Sequence, residues 1–177
     1  MKRVPLSDKV KTIQAIWDWY QVHLRLSLEE KGKLLDEVRS NRPVSNPIFF
    51  AMDLEEIDEF FKELDYLAML DLIAATEAAI RLDYQTRAYH GKGDEISRHF
   101  RKLYKKARDR VSLEWDVLEA WKRLAPRTRA AVGDFCGALN LRHWLAHGRY
   151  WNPKLGRDYS PADVYDISYN LLESIGA

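Results

Sequence analysis

The chain has 177 residues, 28 Lys and Arg against 27 Asp and Glu, a formal charge of +1 and 46% hydrophobic side chains. That composition excludes a disordered chain, and the length suits one domain over 1–177 whose core needs no disulfide or metal staple. A single cysteine, Cys136, excludes an internal disulfide framework. No apolar run approaches the roughly 18 residues of a membrane span, and no signal-type stretch follows Met1-Lys2-Arg3, so a cytoplasmic location away from any membrane is expected.

Few glycines and prolines, and no alternating strand pattern or internal repeat, predict an all-α bundle of about five to seven helices. The first helix is expected from an N-cap at Ser7, with Val10, Ile13, Trp17, Tyr20 and Leu24 on one face. A second, from Ser27 to about Ser40, carries Leu28, Leu34, Leu35 and Val38 and stops at the proline-bounded loop Asn41–Pro47. Ile57, Phe61, Leu64, Ala68, Leu72, Ala75, Ala79 and Leu82 then trace one stripe from about Leu54 to Tyr89. Some 35 residues at 1.5 Å each give about 50 Å, enough to cross the whole domain, with Gly91-Lys92-Gly93 as the stop.

A basic, weakly patterned helix (Glu95 to Arg108) and a Trp-bearing piece (Ser112 to Leu124) follow. Pro126 opens the next helix at its first turn, where a missing N–H costs nothing. Val132, Phe135, Cys136, Leu139 and His143 line its inner side, and Gly148 ends it. Ser160-Pro161-Ala162-Asp163 makes a capped start for the last helix, whose buried face is Val164, Ile167, Leu171 and Ile175.

Charge is unevenly placed. From Asp53 to Glu77 nine acids stand against Lys62 alone; from Arg81 to Arg110 ten bases stand against four acids; from Lys122 to Arg157 eight bases stand against Asp134. Two basic blocks suit a polyanion such as a nucleic acid. An acidic block packed beside them would instead cancel their field, and the sequence leaves both readings open.

Residue types that carry chemistry concentrate in Leu141-Arg142-His143-Trp144-Leu145-Ala146-His147-Gly148-Arg149-Tyr150-Trp151. Histidine exchanges protons near neutral pH, and arginine grips a phosphate through a permanently charged fork. Together they are the minimum kit for cleaving a phosphodiester without a metal. On an unbroken helix Arg142 and His147 lie about 140° apart. Their convergence therefore needs arginine's length, unwinding at Gly148 or a second copy of the chain. His143 also extends the inner stripe, so a core histidine and a site histidine are equally open. Trp144 and Trp151 read as packing or interface residues, and His90 and His99 as solvent-facing. His143 and His147 have the spacing of two metal ligands, but Trp144 stands where a His-Glu-x-x-His motif has its glutamate. Cys136 has no neighbours that would make it a nucleophile.

Arg142, four residues and His147 resemble the Arg-x(4–6)-His signature of the HEPN family, with a polar residue, His143, after the arginine. The place of the motif, near the end of an all-helical chain and after a long helix, is similar too. The resemblance implies a metal-independent endoribonuclease with no cofactor, of the kind found in toxin–antitoxin, anti-phage and CRISPR systems. It implies a homodimer in which two motifs face one RNA-binding cleft, with an antitoxin or regulatory protein as a further partner. His147 would then transfer the proton, Arg142 bind phosphate and His143 orient the site. Attack of the ribose 2′-OH would leave 2′,3′-cyclic phosphate and 5′-OH ends. Some HEPN toxins have a modified tyrosine two residues after the histidine; here that position is Arg149, an additional phosphate contact, and Tyr150 follows on the substrate side. Glu77, Arg81 and Tyr84 share a face of the long helix, with Glu77 as support for the motif and Arg81 as a substrate contact, or the two as a routine salt bridge. A non-catalytic HEPN-like module that binds RNA or protein is the alternative.

Overall fold

Thr12 caps the first helix, its hydroxyl accepting the Ala15 N–H at 3.1 Å, and α1 runs Ile13–Arg39. The expected cap, Ser7, lies outside the residues that the computed structural model describes, 9–90, 93–107 and 110–177. Ser27 starts no second helix. It falls on the same face as Ile13, Ile16, Tyr20, Lys31 and Leu34, so one continuous stripe carries α1 through it. An interior serine costs a helix only a few tenths of a kcal/mol, less than that packing returns. Val10 and Leu28, expected on the inner face, are exposed.

The loop after α1 ends in a single 3₁₀ turn, Pro47–Phe49. Helix α2 spans Leu54–His90, 37 residues or about 55 Å. Gly91 and Lys92 of the expected stop lie outside the described residues. α2 is the axis of the bundle and packs against α1, α3 (Glu95–Ala107), α5 (Arg129–Ala146) and α6 (Pro161–Ile175), while the short α4 (Glu119–Leu124) packs on α3 and α5. Contact on several sides explains why it buries Met69, Ile73, Thr76, Ile80 and Tyr84 beside Ile57, Ala68, Leu72 and Ala75 of the predicted stripe, whose Phe61, Leu64, Ala79 and Leu82 are only half-buried. Among the described residues there are six α-helices and no strand, as an all-α bundle requires. Among them no helix is long and apolar enough to cross a membrane.

α3 is sharply two-sided rather than weakly patterned. Ile96, Phe100 and Tyr104 are buried, with Phe100 edge-on to Tyr84 of α2 at 5.0 Å, while Arg98, Lys102, Lys105 and Lys106 face solvent. Arg108, its expected end, lies outside the described residues. His90 is exposed, but His99 is half-buried, and burial together with Arg123 and Lys102 holds its pKa below the usual histidine value. Ser112 then caps a π-helical turn, Leu113–Leu118, that leads into α4. Its hydroxyl accepts the Trp115 N–H, and the Asp116 carboxylate accepts the Ser112 N–H.

The main core contains Leu72, Ile80, Phe100, Leu118, Phe135 and Leu171, all fully buried. A smaller cluster of Leu34, Phe49 and Ile57 holds together the outer ends of α1 and α2. Ser160 caps α6 through a reciprocal box with Asp163, and those hydrogen bonds hold the Asp163 carboxyl below its usual range. Val164, Ile167, Leu171 and Ile175 are buried as their spacing predicts.

Candidate active site

Helix α5 is positioned at both ends. Pro126 opens a 3₁₀ turn, Pro126–Thr128, and the buried Thr128 hydroxyl donates to the carbonyls of Trp121 and Ala125 at 3.0 and 2.9 Å, locking α5 to the end of α4. Val132, Phe135, Ala138 and Leu141 set its rotation against α2 and α6. Arg142 therefore falls at the margin of that contact, where Glu77 of α2 meets it.

The Arg142 Nε stands 3.3 Å from Glu77 Oε1, but off the line of its N–H, so the pair is an ion pair without a hydrogen bond. The Glu77 side chain is mostly covered, and that of Arg142 is 40% exposed. A carboxylate fixed in the helix wall thus holds the near edge of the guanidinium and leaves charge open outward. Glu77 pairs across helices, and no Glu77–Arg81 ion pair is present among the described residues. Arg81 is exposed and shares with Glu77, Arg142 and His143 one surface depression of about 350 Å³.

His143 is exposed, which settles its place away from the core. The buried arc of α5 runs through Leu141 rather than through Leu139 and His143, so the inner stripe drawn from spacing was rotated by part of a turn. The His143 and His147 rings lie 4.3 Å apart, and Trp151 lies 5.6 Å from His143. Trp144 packs edge-on against Tyr66 of α2 and its indole donates to the Trp151 carbonyl at 2.8 Å. Both tryptophans therefore do packing work inside the chain, with Trp151 folded back toward the two imidazoles.

His147 is the C-cap of α5. The N–H of Gly148 reaches the Leu145 carbonyl and that of Arg149 the Trp144 carbonyl, a Schellman closure with Gly148 at φ +80°. Gly148→Ala is expected to cost about 1–2 kcal/mol from backbone strain alone, because no atom lies within 4 Å of the added Cβ. Gly133→Ala, with equally open surroundings but at an ordinary helical position of α5, should instead gain about 0.5–1 kcal/mol. Urea midpoints of the two variants, shifted in opposite directions, check this.

The turn sends Arg149 back to α2. Its guanidinium donates to both Glu63 oxygens at 2.6 and 3.1 Å and lies over the Tyr66 ring, and the carboxylate raises its pKa. Arg149 is thus occupied by Glu63 and does not line the depression that holds Arg142. Tyr150 is 83% exposed and stacks edge-on with Trp151. Within one chain, Glu77, Arg81, Arg142 and His143 come together; His147 joins through His143, and Arg149 and Tyr150 stand apart.

The acidic stretch does pack beside the last basic block, through Glu63–Arg149 and Glu77–Arg142, while the basic side of α3 stays open. Three residues of the depression, Ser112, Glu114 and Asn140, were not singled out from sequence. Asn140 carried a signal, since Asn140, His143 and His147 are spaced three and four apart on one face of α5. Glu114 carried none, because only the fold brings the π turn to α5. Burial, and secondarily Glu114, push the Cys136 thiol up, which leaves it a poor nucleophile. Among the described residues no three His, Cys, Asp or Glu side chains cluster in a way that would hold a metal ion. In comparisons with protein-family models, curated proteins and solved structures, nothing matches this chain.

Proposed function

We propose that this protein is a metal-independent endoribonuclease of the HEPN type, acting as a homodimer and serving as a toxin or anti-phage effector. The observation that supports it most is the group at the open end of α5: Arg142, held on one side by Glu77, with His143 and His147 in ring contact beside it. In this reading Arg142 neutralises charge developing on the scissile phosphate. His147 moves the proton between the 2′-OH and the leaving 5′-oxygen, and His143 sets its orientation. Because His147 and Arg142 diverge around α5, a second protomer would supply the complementary half of each site. An antitoxin or regulatory protein would restrain the enzyme inside the cell.

The test is incubation of the purified protein with single-stranded RNA in excess chelator. Cleavage that persists and leaves 2′,3′-cyclic phosphate and 5′-OH ends supports the reading. Cleavage lost on chelation, or products ending in 3′-OH, overturns it. A second reading has its own support: Glu63 neutralises Arg149 and Glu77 partly neutralises Arg142, as suits a HEPN-like module that binds RNA or protein without cutting it. RNA binding that survives His147→Ala, with no product at any protein concentration, selects that second reading.

A further inference from the structure

The depression beside Arg142 contains more than a phosphate grip needs. Its far wall is the first part of the π turn, Leu113 and Glu114, and its near wall is Leu139 and Asn140 of α5. Glu77 is already committed to Arg142, but Glu114 and Asn140 are exposed and make no hydrogen bond or ion pair among the described residues. At about 350 Å³ the space is at the lower end of small-ligand pocket sizes. The π turn is itself held in place by the Ser112 hydroxyl and the Asp116 carboxylate, so Glu114 is presented from a braced backbone rather than a loose loop.

We infer that this depression is a nucleobase subsite and that the base it takes is guanine. Guanine's Watson–Crick edge carries two adjacent donors, N1–H and the 2-amino group, and one carboxylate accepts both. Adenine, cytosine and uracil each put an acceptor beside their donor there, and that lone pair would face the same negative oxygens. The Asn140 amide supplies a donor for guanine O6, and the half-buried Leu139 offers apolar surface to one face of the ring. Arg142, on the rim of the same depression, holds the phosphate attached to that nucleoside, so base recognition and cleavage address one nucleotide. The inference rests on the ribonuclease reading and names its substrate: single-stranded RNA cut beside guanosine.

Two measurements separate the subsite from the chemistry. The first compares cleavage, by the parent and by Glu114→Gln, of one RNA carrying a single guanosine with the same RNA carrying adenosine or inosine there. The second compares binding of guanosine 3′-monophosphate and adenosine 3′-monophosphate by calorimetry, in the parent, Glu114→Gln and Asn140→Ala. A guanosine preference of about tenfold or more is expected in both, weakened by inosine and reduced to about twofold or less in Glu114→Gln. Equal cutting of the guanosine and adenosine RNAs, or a preference that Glu114→Gln retains, overturns the subsite while leaving the ribonuclease intact. Selective binding of the guanosine nucleotide with no RNA cleavage overturns the ribonuclease while leaving the subsite. Equal binding of the two nucleotides with no cleavage overturns both.

Discussion

RNA cleavage by His147→Ala is expected to fall by about two to four orders of magnitude, the usual worth of a positioned proton-transfer group. Arg142→Ala should cost about 10²–10³-fold through lost stabilisation of charge on the phosphate. Arg142→Lys should recover only part of that, since an ammonium keeps the charge but not the two-pronged geometry. His147 is exposed and its side chain makes no buried contact, so its removal should leave the unfolding midpoint unchanged. Loss of rate without loss of stability is what separates a catalytic histidine from a structural one. Glu77→Gln is the companion experiment. As a positioning residue its loss should raise KM more than it lowers kcat, because the guanidinium stays present but is no longer anchored. Parent-like rates in both His147→Ala and Arg142→Ala would end the ribonuclease reading.

The largest stability effect is expected near the C-terminal end of α2. Arg87 is buried, and its Nε donates to both oxygens of the equally buried Asp83 at 2.7 and 2.9 Å. One terminal nitrogen donates to the carbonyl of Ile175, the last residue of α6, at 3.0 Å; the other lies 3.7 Å from Asp94 before α3. The guanidinium also covers the ring of Trp121 in α4 at 4.8 Å. One side chain thus ties four helices together and satisfies a helix-end carbonyl that α6 leaves without an internal partner. Arg87→Ala strips the cation from a buried carboxylate and is expected to cost about 3–5 kcal/mol, a fall in Tm on the order of 10 °C for a chain of this size. Arg149→Ala breaks an ion pair with good geometry on the surface, where about 1 kcal/mol or less is expected. Urea unfolding of the two variants side by side decides it, and a loss at Arg87 no larger than at Arg149 would contradict the account.

The helices of this protein are legible from its residues because helix formation is short-ranged. Apolar spacing in α6, Pro126 at the first turn before α5 and the Ser160–Asp163 box each act within a few residues, and all appear where expected. Where the reading failed, a local cue lost to packing. Ser27 looks like a cap but lies on the half-buried middle of the face that joins Tyr20 to Leu34, and the π turn at Leu113–Leu118 has no periodicity of its own to reveal it. The cluster of arginines and histidines was likewise plain, since residue types are read directly. Its geometry was not. Whether His143 is core or surface depends on how far α5 rotates when Leu141 packs inward, which neighbouring helices decide.

The chain by itself determined the all-helical class, the long α2, the capped start of α6 and the concentration of proton-transfer and phosphate-binding side chains at the end of α5. Only the tertiary structure decided that Glu77 would face Arg142 instead of Arg81, that Glu63 would occupy Arg149, and that Glu114 and Asn140 would share a depression. The physical reason is range: caps and stripes act through neighbours one turn away, whereas these partners stand tens of residues apart and meet only once the core has set each helix's rotation.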